Sequence, residues 1–300
     1  MFSRKKFETK DRIIKGVTNN GEFKITVVKA TDVIKTAQKR HELSFLNTLL
    51  LGRTMMGTML MASNLKGEER IQVQIEGNGP LRRLVAEATS NGEIRGYSSD
   101  PELELDYSTE TSWGEAFGPA LLSITKTLYN EANPVSGMVE LVNGNINDDI
   151  AYYLKQSEQV DSAISLDVGF DEEGNITHAG GILIQALPDA TDENRVIIEE
   201  NLKNVPQVSR LLSDGHYIDS IMDMAGTSFG VKELDRYPVD FFCRCNKDRF
   251  VNALAMIQMD ELEAMQDDGQ ELVCHYCNEK YLIPKEEIQS IVKNARIKMN

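Results

Sequence analysis

All four cysteines of this chain lie in one short stretch, at Cys243, Cys245, Cys274 and Cys277, after 242 residues that contain none. Chance scattering over 300 positions rarely confines every cysteine to 35 of them. A secreted mini-protein uses an even cysteine count as a disulfide frame. Here a long cysteine-free body comes first, and the opening MFSRKKFETKDRIIKG is a basic run with no apolar stretch behind it, unlike an export signal. Clustered pairs in that setting read as metal-binding or redox-active thiols. The longest apolar run, at 43–65, is interrupted by Asn47, Arg53 and Asn64 and falls short of a membrane span. The expectation is a soluble, cytoplasmic protein.

The spacing is Cys-x-Cys, then 28 residues, then Cys-x-x-Cys. The second pair has the form of a zinc knuckle, in which a turn aims two thiolates at one ion. The first pair is one residue tighter, so its backbone must be unusual. Four thiolates satisfy the tetrahedral demand of a single Zn2+ ion. His275, inside the knuckle, is a fifth candidate ligand, but four sulfurs already fill the shell. Redox chemistry is not excluded by metal binding. Arg244, Lys247 and Arg249 stand beside the first pair and favour thiolate, the form that oxidants attack. Each pair can also close its own disulfide, although a Cys-x-Cys ring is strained and readily reversible. A permanently closed zinc site and a redox switch are both open on this pattern.

The remaining segments set a three-part organisation. Residues 1–188 mix strand and helix signals. FKITVVKA at 23–30 and IQVQIEG at 71–77 alternate as half-buried strands do, and TDVIKTAQKRHE between them predicts a helix with Thr31 as N-cap. A second helix, at about 43–65, is apolar on most of its circumference and belongs in the middle of a domain. LVAEAT and EIRGYS flank the turn Ser90-Asn91-Gly92, and SGMVELVN, DIAYYLKQS, AISLDVGF and THAGGILIQAL follow as further strand candidates. The fold class expected is α+β, a mixed sheet and helix core. Residues 189–237 change character: Ile198, Leu202 and Val205, then Ile218, Ile221, Met222 and Ala225, mark short helices with one apolar stripe. Pro206 suits the first position of the middle one. With ten Asp/Glu against five Lys/Arg, this reads as a helical linker whose stripe needs a partner surface, expected on the first domain. Residues 238–300 form a small C-terminal module of helices around the hairpin LVCHYCNEKYLI, too poor in large apolar side chains to hold a strong core without a metal or a disulfide.

With 47 acidic and 32 basic side chains, the net charge is −15, which argues against nucleic acid or an anionic membrane as main partner. A zinc-ribbon nucleic-acid binder needs a basic face, yet residues 238–300 carry eleven Asp/Glu and eight Lys/Arg. A thiol oxidoreductase acting through Cys274 and Cys277 is the enzymatic alternative. The stretch from Gly52 to Thr58 echoes a phosphate loop but lacks the lysine and sits inside an apolar helix. Met55, Met56, Met59 and Met61 read as core filler. The acid pairs Asp148-Asp149 and Glu172-Glu173 read as solvated loops.

FFCRCNKDRF and LVCHYCNEKYLI, joined to LGRTMMGTMLMASNLKG, IQVQIEGNGPLRRLVAEA, GEIRGY, DDIAYYLKQSEQV and AGGILIQALP in that order, resemble the 33 kDa heat-shock chaperone family of redox-regulated holdases. The resemblance covers nearly the whole chain. It implies a non-enzymatic chaperone that, when reduced, is inactive and holds one zinc per chain on Cys243, Cys245, Cys274 and Cys277. It further implies that oxidation pairs Cys243 with Cys245 and Cys274 with Cys277, releases the metal, unfolds the zinc module and then the linker, and gives a homodimer. That form binds unfolding clients without ATP and passes them to ATP-dependent foldases after reduction.

Overall fold

The computed structural model describes residues 10–105, 112–265 and 267–299 and divides the chain into two compact units, Met1–Phe242 and Cys243–Asn300. The basic opening run at 1–9 lies outside the described residues. The first unit is α+β, as expected. Strands β1 (Arg12–Thr18), β2 (Phe23–Lys29), β8 (Ser162–Phe170), β9 (Ile176–Ala186) and β10 (Val231–Pro238) form an antiparallel sheet in the order β10-β1-β2-β9-β8. A second sheet runs β11-β5-β4-β3-β6-β7, built from β3 (Arg70–Gly77), β4 (Arg83–Thr89), β5 (Glu93–Ser98), β6 (Ala120–Thr127), β7 (Val135–Glu140) and β11 (Asp240–Phe241).

Helix α1 (Thr31–His41) leads into α2 (Phe45–Ala62), which touches β3, β4 and β5 of one sheet and β2, β8 and β9 of the other. That position explains its composition, since a helix with sheet on both sides has no polar face to keep. Met55, Met56, Met59 and Met61 are all buried there. Gly52 and Gly57 serve packing, not phosphate binding. A Cβ on Gly52 would stand 3.0 Å from Val168, and one on Gly57 would collide with Ile150.

The five-stranded sheet is apolar on both faces. Ile13, Val28 and Leu183 point to the α2 side, whereas Ile14, Phe23, Ile25, Val27, Ile182 and Ile184 line the opposite face. That opposite face is covered by α5 (Asp192–Asn204), α6 (Val208–Ser213) and α7 (Ile218–Ala225). The stripe read from the sequence, Ile198, Leu202, Ile218, Ile221, Met222 and Ala225, is the buried side of these helices. One polar tie crosses the same contact: the Ser209 hydroxyl of α6 donates to the Asp167 carboxylate of β8, both buried.

Four local expectations are corrected. Thr31 is the first helical residue of α1 rather than its N-cap, and its hydroxyl accepts from the Ala179 N–H at 3.1 Å. The cap is supplied from outside by Asp11, which accepts from Val33 N–H at 2.8 Å and pairs with Lys29 at 2.9 Å. DIAYYLKQS is not a strand but, after the short α3 (Ser112–Phe117), the body of α4 (Ile146–Gln156), whose buried Ile146, Ile150, Tyr153 and Leu154 recur with the helical period. Pro206 precedes the N-cap Gln207 of α6 instead of opening the helix. The helical pattern expected through Tyr237 ends at Ala225. Gly230, at φ 66, then turns the chain into β10, an edge strand against β1.

The second unit holds α8 (Lys247–Leu254), α9 (Met259–Ala264), the hairpin β12 (Gln270–Val273) and β13 (Lys280–Ile283), and α10 (Lys285–Met299). Its core is Leu254, Leu262, Ile283, Ile288, Ile291 and Val292. Six buried aliphatic side chains among the described residues are few for a unit of about 60, a size at which a metal or disulfide usually completes the fold. No helix among the described residues is long and apolar enough to cross a membrane.

Candidate metal centre

The four cysteines meet in the second unit. β12 ends at Val273, and the Cys274-His-Tyr-Cys277 turn is held by two bonds to the Cys274 carbonyl, from Cys277 N–H at 3.3 Å and Asn278 N–H at 2.8 Å. The Cys274 N–H donates to the Glu279 carbonyl at 2.9 Å and closes the knuckle. Asn278 takes the left-handed conformation, φ 56, that asparagine tolerates better than most residues. On the other side, Asn246 caps α8 by accepting from Arg249 N–H at 2.9 Å, so the helix begins two residues after Cys245 and fixes where that sulfur points.

All four sulfurs lie within 4.8 Å of one another, with Cys243 to Cys274 at 3.8 Å and Cys245 to Cys277 at 3.3 Å, and none is joined in a disulfide. A tetrahedral zinc site with ~2.3 Å bonds requires sulfur–sulfur edges of about 3.8 Å. The spacing therefore fits a mononuclear ion, and soft sulfur donors suit zinc better than a hard cation such as calcium. His275 is exposed and lies outside the cluster. His41, His178 and His216 belong to the first unit.

Burial is the chief cause that pushes the thiols of Cys274 and Cys277 up, and the crowded sulfurs of Cys243 and Cys245 add to it. The basic neighbours Arg244, Lys247 and Arg249 flank Cys243 and Cys245 rather than the buried pair. Lys247 is engaged with Glu287 at 2.6 Å, and neither Arg244 nor Arg249 figures among the causes acting on the buried thiols. Ionising such a cluster calls for a cation in its midst, which is the role of a metal ion.

One contributor escaped the sequence reading. The Tyr281 hydroxyl of β13 donates to the Cys245 carbonyl at 3.2 Å and lies 3.2 Å from the Cys245 sulfur, while its ring packs on Phe250 of α8 at 5.0 Å between centroids. This contact ties the Cys-x-Cys arm to the hairpin that carries the other pair. The contact with the Cys245 sulfur is the chief cause that pushes the phenol up.

Comparison with known proteins brings these observations together. A family model described as Hsp33 protein matches residues 11–284. A 33 kDa chaperonin of Lactiplantibacillus plantarum is 38% identical over 292 residues, covering 95% of this chain and 98% of the relative. One of Desulforamulus reducens is 37% identical, covering 96% and 99%. Among solved structures, the crystal structure of a 33 kDa chaperonin from Thermotoga maritima superposes with a TM-score of 0.88 at 32% identity, covering 96% of this chain and 99% of that one.

Proposed function

The chain belongs to the Hsp33 protein family, and from that membership we propose that it is a redox-regulated, ATP-independent holdase that keeps unfolding proteins from aggregating. The observation that carries the redox part is four free sulfurs at metal-ligand spacing in a unit with only a six-residue aliphatic core. In the reduced protein, Cys243, Cys245, Cys274 and Cys277 hold one zinc, whose binding supplies ~10–16 kcal/mol of folding free energy to that unit.

Activation is a thiol oxidation. The Cys274 and Cys277 thiolates give up two electrons as one S–S bond forms, and hydrogen peroxide accepts them, its O–O bond breaking to leave two hydroxides that solvent protonates to water. Cys243 and Cys245 do the same. Proximity does not select these pairs, since all four sulfurs are mutually close. The pairing rests on the family resemblance and on the ease with which a Cys-x-x-Cys turn accommodates a disulfide. Each bond withdraws two sulfurs from the metal shell, so the second unit loses most of its stability. Release of α5–α7 follows, which uncovers Phe23, Ile25, Val27, Ile182 and Ile184 as an apolar face for non-native chains. The oxidised form dimerises, and clients pass to ATP-dependent foldases after reduction. We place the protein in the cytoplasm, where thiols are kept reduced until stress.

An oxidoreductase reading is less well supported. Cys274 and Cys277 are 7% and 2% exposed, which leaves little room for in-line attack by a disulfide substrate. The test is light scattering of a denaturing client with reduced and oxidised protein side by side. Stoichiometric suppression by the oxidised form alone supports the holdase. Equal activity in both states, or turnover of a small disulfide substrate, overturns it.

A further inference from the structure

We propose that the cavity between α1, β9 and the turn joining α6 to α7 is a binding site for a phosphate chain, of the inorganic polyphosphate or nucleoside polyphosphate kind. The cavity measures about 550 Å³, within the size range of small-ligand sites. Lys29, Lys35, His178 and His216 line it, with Thr177 and Tyr217. A neighbouring groove shares Asp32 and Lys35 with it and adds Lys39 and Arg40. Around the two together, four cations face two carboxylates, Asp32 and the Asp11 that is paired with Lys29. In a chain of net charge −15 this is a local reversal of sign, and cations spread over a cavity and an adjoining groove suit several linked phosphates better than one.

Three of the lining side chains are uncommitted. Lys35, His178 and His216 make no side-chain hydrogen bond or ion pair among the described residues, and the Nδ1 of His178 is buried with no partner. A buried ring nitrogen without a partner is costly unless something occupies the space before it. Burial first, then the Lys29 and Lys35 charges, push the His178 imidazole down. An anion in the cavity reverses the sign of that field, so binding draws a proton onto His178. The groups facing it are Asp11 and Lys29 from the sheet, Asp32 and Lys35 from α1, and His216 and Tyr217 from the turn.

The site has a consequence for activation, and that part rests on the holdase reading whereas binding itself does not. His216 and Tyr217 belong to the helical segment whose release exposes the client face, so the cavity exists only while that segment is docked. Ligand at ten times its Kd multiplies the docked over the released population about 11-fold.

The experiment is calorimetric titration of the reduced full-length protein with tripolyphosphate, ATP and sulfate. Tripolyphosphate should bind at least about tenfold more tightly than sulfate, and Lys35→Gln should weaken it several-fold while the exposed helix position leaves the thermal midpoint unchanged. Adding His178→Gln should bring the loss to about tenfold or more, and in the parent protein NMR should show His178 titrating at higher pH when tripolyphosphate is present. ATP binding as tightly as tripolyphosphate identifies nucleotides as the source, and weaker ATP binding identifies inorganic polyphosphate. The proposal is overturned by absence of binding at 1 mM, by an affinity no better than that of sulfate, or by an affinity the two substitutions leave unchanged. Failure of the chaperone assay with binding intact faults the holdase reading and not the site.

Discussion

At the scale of single residues, the thiol cluster depends on a side chain that is not a ligand. Tyr281 reaches both the carbonyl and the sulfur of Cys245 at 3.2 Å and so orients the shorter, more constrained arm of the site. Outer contacts of this kind are worth ~10–100-fold in metal affinity. Tyr281→Phe should therefore retain zinc but yield it to a chelator at least about tenfold more readily, whereas Cys274→Ser should lose it, since one missing ligand opens the shell. A competition titration against a chromogenic chelator separates the two. Asp149 makes a second, independent prediction in the first unit. It was read as part of a solvated acid pair, but it is 1% exposed and accepts the Val142 N–H at 2.6 Å at the start of α4. Burial pushes its carboxyl up to about 6, above its ordinary 3.8. A folded-state value raised above the unfolded one means that the folded chain binds the proton more tightly. Its contribution is then fully present below about 3.8 and is lost as pH rises through about 6. Denaturant unfolding should show stability falling by on the order of 2 kcal/mol between pH 4 and 7 from this group, opposite to ordinary acid denaturation. In Asp149→Asn that component of the slope should vanish; an unchanged profile would show that Asp149 titrates normally.

At the scale of elements, packing decided what the sequence left ambiguous. The alternation of β3 and the all-round apolarity of α2 are legible because each presents its apolar residues to a core, whereas β2, expected to be half-buried, is covered on both faces because helices pack on either side of its sheet. The stripe of α5–α7 was legible for the same reason, and it faces the sheet. Two elements were hidden by their place at an edge. β10 is mostly exposed and is a strand because β1 offers it a free edge, which VKELDRYP does not advertise by itself. The segment DIAYYLKQS begins at Asp149 and lacks Ile146, without which the helical period of α4 does not show. The cysteine site was readable as ligands, but Tyr281 was not, because its contact bridges 36 residues and depends on the hairpin register. The docked helices make a sharp prediction. Ile221 is fully buried against the sheet, and Ile221→Asp puts a charge there at a cost of several kcal/mol if it stays ionised. Helices of 13, 6 and 8 residues cannot absorb that alone. The reduced variant should suppress client aggregation with all four thiols free and zinc retained. If it stays inactive until oxidised while proteolysis shows 189–237 already loose, release of these helices does not control activity.

At the scale of the whole molecule, stability is unevenly divided, and that division is what a switch requires. The first unit buries two continuous apolar layers, one around α2 between the sheets and one beneath α5–α7. The second has six buried aliphatic residues and four sulfurs. A core this small leaves the second unit in need of a further stabilising contribution, and four sulfurs at metal-ligand spacing are where one can enter. Removing zinc from reduced protein with a chelator should therefore unfold residues 243–300 and leave the sheets of the first unit intact. Hydrogen exchange read by mass spectrometry checks this: amides of β12, β13 and α10 should lose protection, while those of α2, β2 and β9 keep theirs. Because no disulfide forms in that experiment, it also separates metal loss from oxidation. If the chelated, still reduced protein suppresses aggregation, loss of the metal alone is enough to open the client face. If its second unit stays protected without metal, the aliphatic core holds that unit by itself, and oxidation must act through the disulfides.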